Sequence, residues 1–276
     1  MDAGVNKEKT PFAPSSKLQI KSHYDKYFYP YFKSWDLRVI SNIHISDFYD
    51  QLPTSLADST KKNLIISLRS FYNMFDELDQ TKIKWPSPKI AKKKIQWIGQ
   101  EEQLKIISCI PEKHRPIFYF MIWHGVRPGE ARALMWDCID LKQNIIYIKR
   151  NWSERVLTDI TKGRTDRTTP IYSQFKPLLK ELARSKKEFV FTTPRGKNYG
   201  RRKINVLWND AVEKAGYVPI RLYNGTKHSF ASQLRKAGAD LSDIQELLGH
   251  AHMDSTKRYA DIEQTRLTRV IELKRR

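Results

Sequence analysis

The chain has 276 residues, with 50 lysines and arginines against 30 acidic residues, a net charge of +20 and a pI near 9.8. That length allows two domains with separate cores, and a positive excess spread along the whole chain calls for a polyanionic partner, because each cation that neutralises a phosphate releases condensed counterions. No stretch reaches membrane-spanning length. The two cysteines, Cys109 and Cys138, lack metal-type spacing, which argues against a disulfide framework or zinc site and for a reduced, cytoplasmic protein without cofactor or metal.

Residues 1–17 form a polar N-terminal segment, and residues 18–85 read as a small helical domain. Apolar residues spaced three and four apart from Leu64 to Leu78 predict one long amphipathic helix from Ser59, with Ser59 as its cap. It carries Lys61, Lys62 and Arg69, candidates for backbone contacts with DNA. Upstream, Tyr24, Tyr27, Phe28, Tyr31 and Phe32 form an aromatic cluster that Pro30 should break; rings at this spacing belong in a core more often than on a base. Residues 86–96 read as a linker rich in proline and lysine, with Lys92, Lys93 and Lys94 able to follow a duplex backbone, although a solvated hinge has the same composition.

Residues 97–276 read as a larger domain. An apolar helix over Pro116 to Trp123 should stop at Gly125, and Val126-Arg127-Pro128-Gly129-Glu130 should start the next, with Pro128 first and Glu130 third, where its carboxylate reaches back to the cap. Arg127 is thereby held at a tight turn between apolar helices. Asn144 to Lys149, Arg155 to Ile160, Arg167 to Ile171 and Phe189 to Thr192 read as strands, and Tyr172 to Ala183 and Arg201 to Ala215 as helices. The turn TKGRTDRT holds Lys162, Arg164 and Arg167 and lacks the spacing of a nucleotide-binding loop. Thr226 is expected to cap a helix that runs to Ala237, a further helix should stop at Gly249, and Gln264 to Lys274 should close the chain as an amphipathic helix. His228 is expected to face its own helix or solvent. Asp137 and Asp140 look like a helix end leading into a strand, not a metal-binding pair.

Three stretches, GVRPGEARALMWDCIDL, TKGRTDRTTPI and LLGHAHMDSTKRYA, together resemble the tyrosine recombinases, or phage-type integrases. The resemblance spans about Tyr24 to Tyr259. It implies a mainly α chain with a small antiparallel β-sheet: a helical, SAM-like core-binding domain and an α+β catalytic domain that together clamp DNA. It implies that Tyr259 attacks a scissile phosphate, that Arg127 forks onto its non-bridging oxygens, that Lys162 protonates the departing 5′ oxygen, and that His250, nine residues before Tyr259, assists. Glu130 would position Arg127, and Arg164 and Arg167 would lower the Lys162 pKa and touch DNA. Implied partners are recombination sites in duplex DNA, three further copies in a tetramer and, in some systems, DNA-bending accessory proteins.

One motif departs from the family. Where it shows His-x-x-Arg, this chain has Asn224 and Lys227. Lysine keeps the charge without the planar fork, and asparagine cannot relay a proton; Arg221 and His228 are the candidates to compensate, although His228 is expected to face its helix or solvent. The chain therefore reads as an active recombinase with an unusual second cation, or as a weakened member acting chiefly as a DNA-binding protein. The survival of Arg127, Lys162, His250 and Tyr259 favours activity. A type IB topoisomerase shares the same chemistry.

Overall fold

The computed structural model describes residues 14–75, 78, 82–88, 90, 94–153, 155–159, 167–183, 187–250 and 252–260. The chain divides into two compact units, Met1–Lys93 and Lys94–Arg276. Helices dominate both, and the strands lie in the second.

In the first unit, α1 (Pro14–His23) passes through a π turn (Tyr24–Phe28) into α2 (Tyr29–Phe32). The expected break at Pro30 does not occur. Proline lacks an N–H and its ring crowds the carbonyl four residues back, and a π turn just upstream alters that hydrogen-bond ladder. Helices α3 (Asn42–Asp50) and α4 (Asp58–Tyr72) follow in the same unit. Ser59 lies inside the first turn of α4, whose cap position is Ala57, so it is not the cap, and the helix ends at Tyr72, short of Leu78. The aromatic cluster is core: the rings of Phe28, Tyr31 and Phe32 pack at 5.9, 5.2 and 5.3 Å from that of Phe48, over buried Leu64, Ile65 and Leu68. Lys61 and Lys62 are half-buried and Arg69 is exposed; the Lys61 ammonium lies 5.7 Å from the centre of the Tyr49 ring.

In the second unit, α5 (Gln100–Ser108), α6 (Arg115–His124) and α9 (Arg201–Lys214) bury Ile106, Ile107, Phe118, Phe120, Met121 and Trp208 in one core. Against it lies a three-stranded antiparallel sheet of order β1 (Ile139–Asp140), β2 (Ile145–Ile148), β5 (Arg167–Pro170), with Ile146 opposite Thr169. Ile146 and Ile148 point inward at the two-residue period of a strand. A separate hairpin pairs β3 (Asn151–Ser153) with β4 (Val156–Thr158). Phe189 to Thr192 forms no strand, because its ends bridge two different partners, Met135 and Asn198. A 3₁₀ turn (Ser173–Phe175) leads into α8 (Lys176–Ala183).

Both cysteines are free thiols, Cys138 buried and Cys109 half-buried. Among the described residues no helix is long and apolar enough to cross a membrane. The expected helix from Gln264 to Lys274, and the turn containing Lys162 and Arg164, lie outside the described residues, as do Lys92 and Lys93.

Candidate active site

The site begins where α6 stops. Gly125 caps the helix in the left-handed region at φ 59°, and a side chain there would strike the Phe230 ring. The chain then extends through Arg127 and enters α7 (Pro128–Arg132), with Pro128 and Glu130 at the expected first and third positions. Glu130 Oε2 accepts the Arg127 N–H at 2.8 Å and Oε1 accepts Arg127 Nη1 at 2.6 Å. The cap bond thus also aims a guanidinium.

Glu130 has a second cation. Arg167, on β5, donates from Nη2 to Oε2 at 2.8 Å and from Nη1 to Oε1 at 3.1 Å, and from Nε to the Leu247 carbonyl at 3.1 Å. Burial alone would raise the Glu130 pKa, but Arg167, then Arg127 and Lys227, hold the carboxyl well below the usual range. Arg167, expected to touch DNA, has a side chain only 9% exposed and is committed to Glu130. For Arg127, burial opposes the charge, while Glu130 and a hydrogen bond to the Tyr223 hydroxyl outweigh it and raise its pKa.

The departing motif lies on a π turn (Asn224–His228) that runs into α10 (Ser229–Lys236). Thr226 is not a cap: the helix already runs through 222–223, and the Thr226 hydroxyl donates back to the Leu222 carbonyl at 2.7 Å. Gly225 lies so close to the Trp208 indole that any side chain would collide, and its carbonyl accepts Gln103 Nε2 at 2.7 Å. These contacts fix the turn from below.

On that turn Lys227 is fully buried and donates from Nζ to the Leu248 carbonyl at 2.8 Å. Asn224 is half-buried, its backbone carbonyl accepting the Ser229 hydroxyl at 2.7 Å. His228 faces neither its own helix nor open solvent. Its Nδ1 lies 2.6 Å from the Tyr259 hydroxyl, and its ring meets Tyr223 edge-on at 4.8 Å. Burial, with Arg258 and Lys227 nearby, lowers its pKa to about 4. The misreading has a simple cause: the π turn changes which side chains share a face, and spacing counted at 3.6 residues per turn does not see it.

The remaining groups come from the end of α11 (Leu241–Leu248). Gly249 closes it at φ 59°, and a Cβ there would sit 2.6 Å from Arg167 Cδ. His250 sends its N–H back to the Gln245 carbonyl at 3.1 Å, and its Nδ1 shares a 2.9 Å hydrogen bond with the Thr256 hydroxyl. After α12 (Asp254–Lys257), Tyr259 is fully buried against Ala231, Ile244 and Leu248. Burial, then the neighbouring Tyr223, raises its pKa above that of a free phenol, outweighing Arg258 and Arg127.

Of the expected site residues, Arg127, Glu130, Lys227 and Tyr259 therefore form one connected group, joined by His228, Arg167 and Tyr223. His250 sits at its edge on the turn that carries Tyr259. Tyr223 escaped the sequence reading because a tyrosine four residues before a buried lysine looks like any core aromatic. Asp137 is paired with Arg150 at 2.6 Å, and Asp140 caps its own turn through the N–H groups of Lys142 and Gln143. Among the described residues no three His, Cys, Asp or Glu side chains are grouped to hold a metal ion.

Residues 92–266 match the phage integrase family. Tyrosine recombinase XerA of Pyrococcus furiosus is 26% identical over 217 residues, covering 76% of this chain and 72% of that protein. Tyrosine recombinase XerC of Oceanobacillus iheyensis is 25% identical over 246 residues, covering 82% and 76%. Among solved structures, XerH site-specific recombinase bound to its difH substrate superposes with a TM-score of 0.68 at 22% identity, covering 94% of this chain and 84% of that one. A lambda integrase dimer bound to a core site gives 0.70 at 16%, covering 93% and 92%. These two likenesses establish the fold, and the family match covers the Arg127 turn, the Lys227 helix and the Tyr259 segment. The chain belongs to the phage integrase family, the tyrosine-type site-specific recombinases.

Proposed function

We propose that this chain cuts and rejoins duplex DNA at specific sites through a 3′-phosphotyrosyl link at Tyr259, with neither metal nor nucleotide. The observation that carries this is convergence on the end of α11: Arg167, which with Arg127 holds Glu130, donates to the Leu247 carbonyl, Lys227 donates to the Leu248 carbonyl, and Tyr259 packs against Leu248 with its hydroxyl 2.6 Å from His228 Nδ1. A phosphate drawn to Arg127 would then lie near the nucleophile.

Arg127 would carry the charge that builds on the phosphorane, with Glu130 fixing its orientation and Arg167 fixing Glu130. Lys162 would protonate the departing 5′ oxygen, and His250 would donate a hydrogen bond to the phosphate. Lys227, buried on the Leu248 carbonyl, would add charge from behind and hold the turn that leads to His250. The bond energy stays in the phosphotyrosine, so a different 5′ hydroxyl can reseal it. The first unit would act as the core-binding domain, the lysines around Lys94 would follow the backbone, and four protomers would act on two duplexes.

The test is covalent capture. Incubation with a randomised pool of nicked duplexes should yield a protein–DNA adduct stable to denaturation, lost in Tyr259→Phe while duplex binding persists. Binding without any adduct would mark a DNA-binding protein instead, and an adduct in Tyr259→Phe would refute the nucleophile.

A further inference from the structure

We propose that His228 is the group that takes the proton from Tyr259 when the phenol attacks the phosphate, the part that Asn224 cannot play. The inference rests on the strand-transfer reading above. As the Tyr259 O–H bond breaks, an N–H bond forms at His228 Nδ1. The phenolic oxygen bonds to phosphorus and the 5′ oxygen leaves with a proton from its own acid. On resealing, the phenolate regains the proton from the imidazolium, so the cycle closes without outside reagents.

The geometry leaves little competition. His228 Nδ1 stands 2.6 Å from the Tyr259 oxygen, within proton-transfer reach. His250 Nδ1 is engaged by the Thr256 hydroxyl at 2.9 Å. The charged and titratable neighbours on the other elements, Arg127 and Arg258, are cations and accept no proton, as is Lys227 on the same turn; Tyr223 is itself a phenol. For Nδ1 to accept, the neutral ring must carry its hydrogen on Nε2.

The setting also explains how a weak base suffices. Burial, Arg258 and Lys227 keep His228 at about 4, hence uncharged and ready to accept at neutral pH. An arriving phosphate brings negative charge that stabilises the imidazolium and strengthens the base when substrate is bound.

The experiment uses the full chain and a nicked duplex captured by the wild-type protein, followed in single turnover across neutral to alkaline pH. His228→Gln should slow adduct formation by roughly 10²- to 10⁴-fold at neutral pH, and its rate should rise about tenfold per pH unit as the phenolate forms without help. Wild type should be flat over the same range. Replacing the leaving 5′ oxygen by sulfur removes the need for an acid, and the His228→Gln deficit should persist. A variant rate equal to wild type, or a deficit that sulfur abolishes, overturns the assignment to His228 alone. No adduct from wild type on any duplex removes the strand-transfer reading and this inference with it. Should the variant fail to fold, ¹⁵N spectra of histidine-labelled wild type decide: a proton fixed on Nδ1 overturns the proposal, and one on Nε2 supports it.

Discussion

Arg167 lies 37 positions beyond Glu130 in the chain, yet its guanidinium grips that carboxylate with two nitrogens, at 3.1 and 2.8 Å. The same carboxylate holds Arg127, so β5 and the Arg127 turn share one buried anion. Removing it leaves two arginines without their partner. Glu130→Ala should cost about 3 kcal/mol, the low end for breaking a buried ion pair because Arg127 keeps some exposure. Glu130→Gln should cost less and flatten the acid limb. With its folded pKa held below the ordinary 4.5, Glu130 contributes stability above pH 4.5 that is lost as pH falls through the folded value. Urea midpoints measured from pH 7 to 3 check both variants.

Gly249→Ala tests the contact from the other side. A methyl group would press on Arg167 Cδ and must adopt φ 59°, which costs a residue with a side chain about 1–2 kcal/mol before any displacement. The expected result is a lower melting temperature together with a lower rate of adduct formation, since Arg167 supports Glu130 and Glu130 supports Arg127. A stable protein with unchanged rate would show that this chain of support is not needed.

Lys227→Arg restores the side chain the family usually carries. Here the ammonium is enclosed and bound to the Leu248 carbonyl, so the bulkier guanidinium should overpack and cost about 1–3 kcal/mol. Cleavage should stay level or slow. Faster cleavage would mean that lysine is a weakened stand-in at a phosphate contact. Thermal melts and adduct kinetics on the same preparation separate the two.

His124 should make the fold sensitive to acid. It is buried behind the Arg127 turn, its Nδ1 at 3.1 Å from the Phe120 carbonyl and its Nε2 accepting the Tyr172 N–H at 3.1 Å. Burial lowers its pKa to about 4, with the Phe120 bond acting weakly in the other direction. Because the unfolded chain binds the proton more tightly, this contribution is full above pH 6.5 and fades as pH falls to 4. The gap from 6.5 corresponds to about 3 kcal/mol. His124→Gln should be less stable at pH 7 yet lose less between pH 7 and 4, as read by chemical denaturation.

Much of the site was legible without coordinates where local rules govern it. The Gly125 stop, Pro128 and Glu130 follow from capping chemistry written in consecutive residues, and each stands where the pattern puts it. What was hidden depends on partners far along the chain or on irregular backbone. Nothing local announces that Arg167 will meet Glu130, or that Gln103 will hold the Gly225 carbonyl. His228 and Thr226 were misplaced for one reason, a wide turn that no periodicity count contains. Pro30 was misread for a kindred one, since its helix tolerates the ring through a π turn of its own.

The turn at Asn224 to His228 has a wider consequence. Whichever side chain faces the phenol there is chosen by the winding of the backbone, and chemistry acts on that choice afterwards. Each residue added or removed rotates everything beyond it by about 100°. A one-residue deletion in this turn would swing His228 off Tyr259 while leaving every catalytic letter of the sequence intact. Inheritance at such a site is of phase as much as of residue type, and an alignment column can keep its letter while the group it names faces elsewhere.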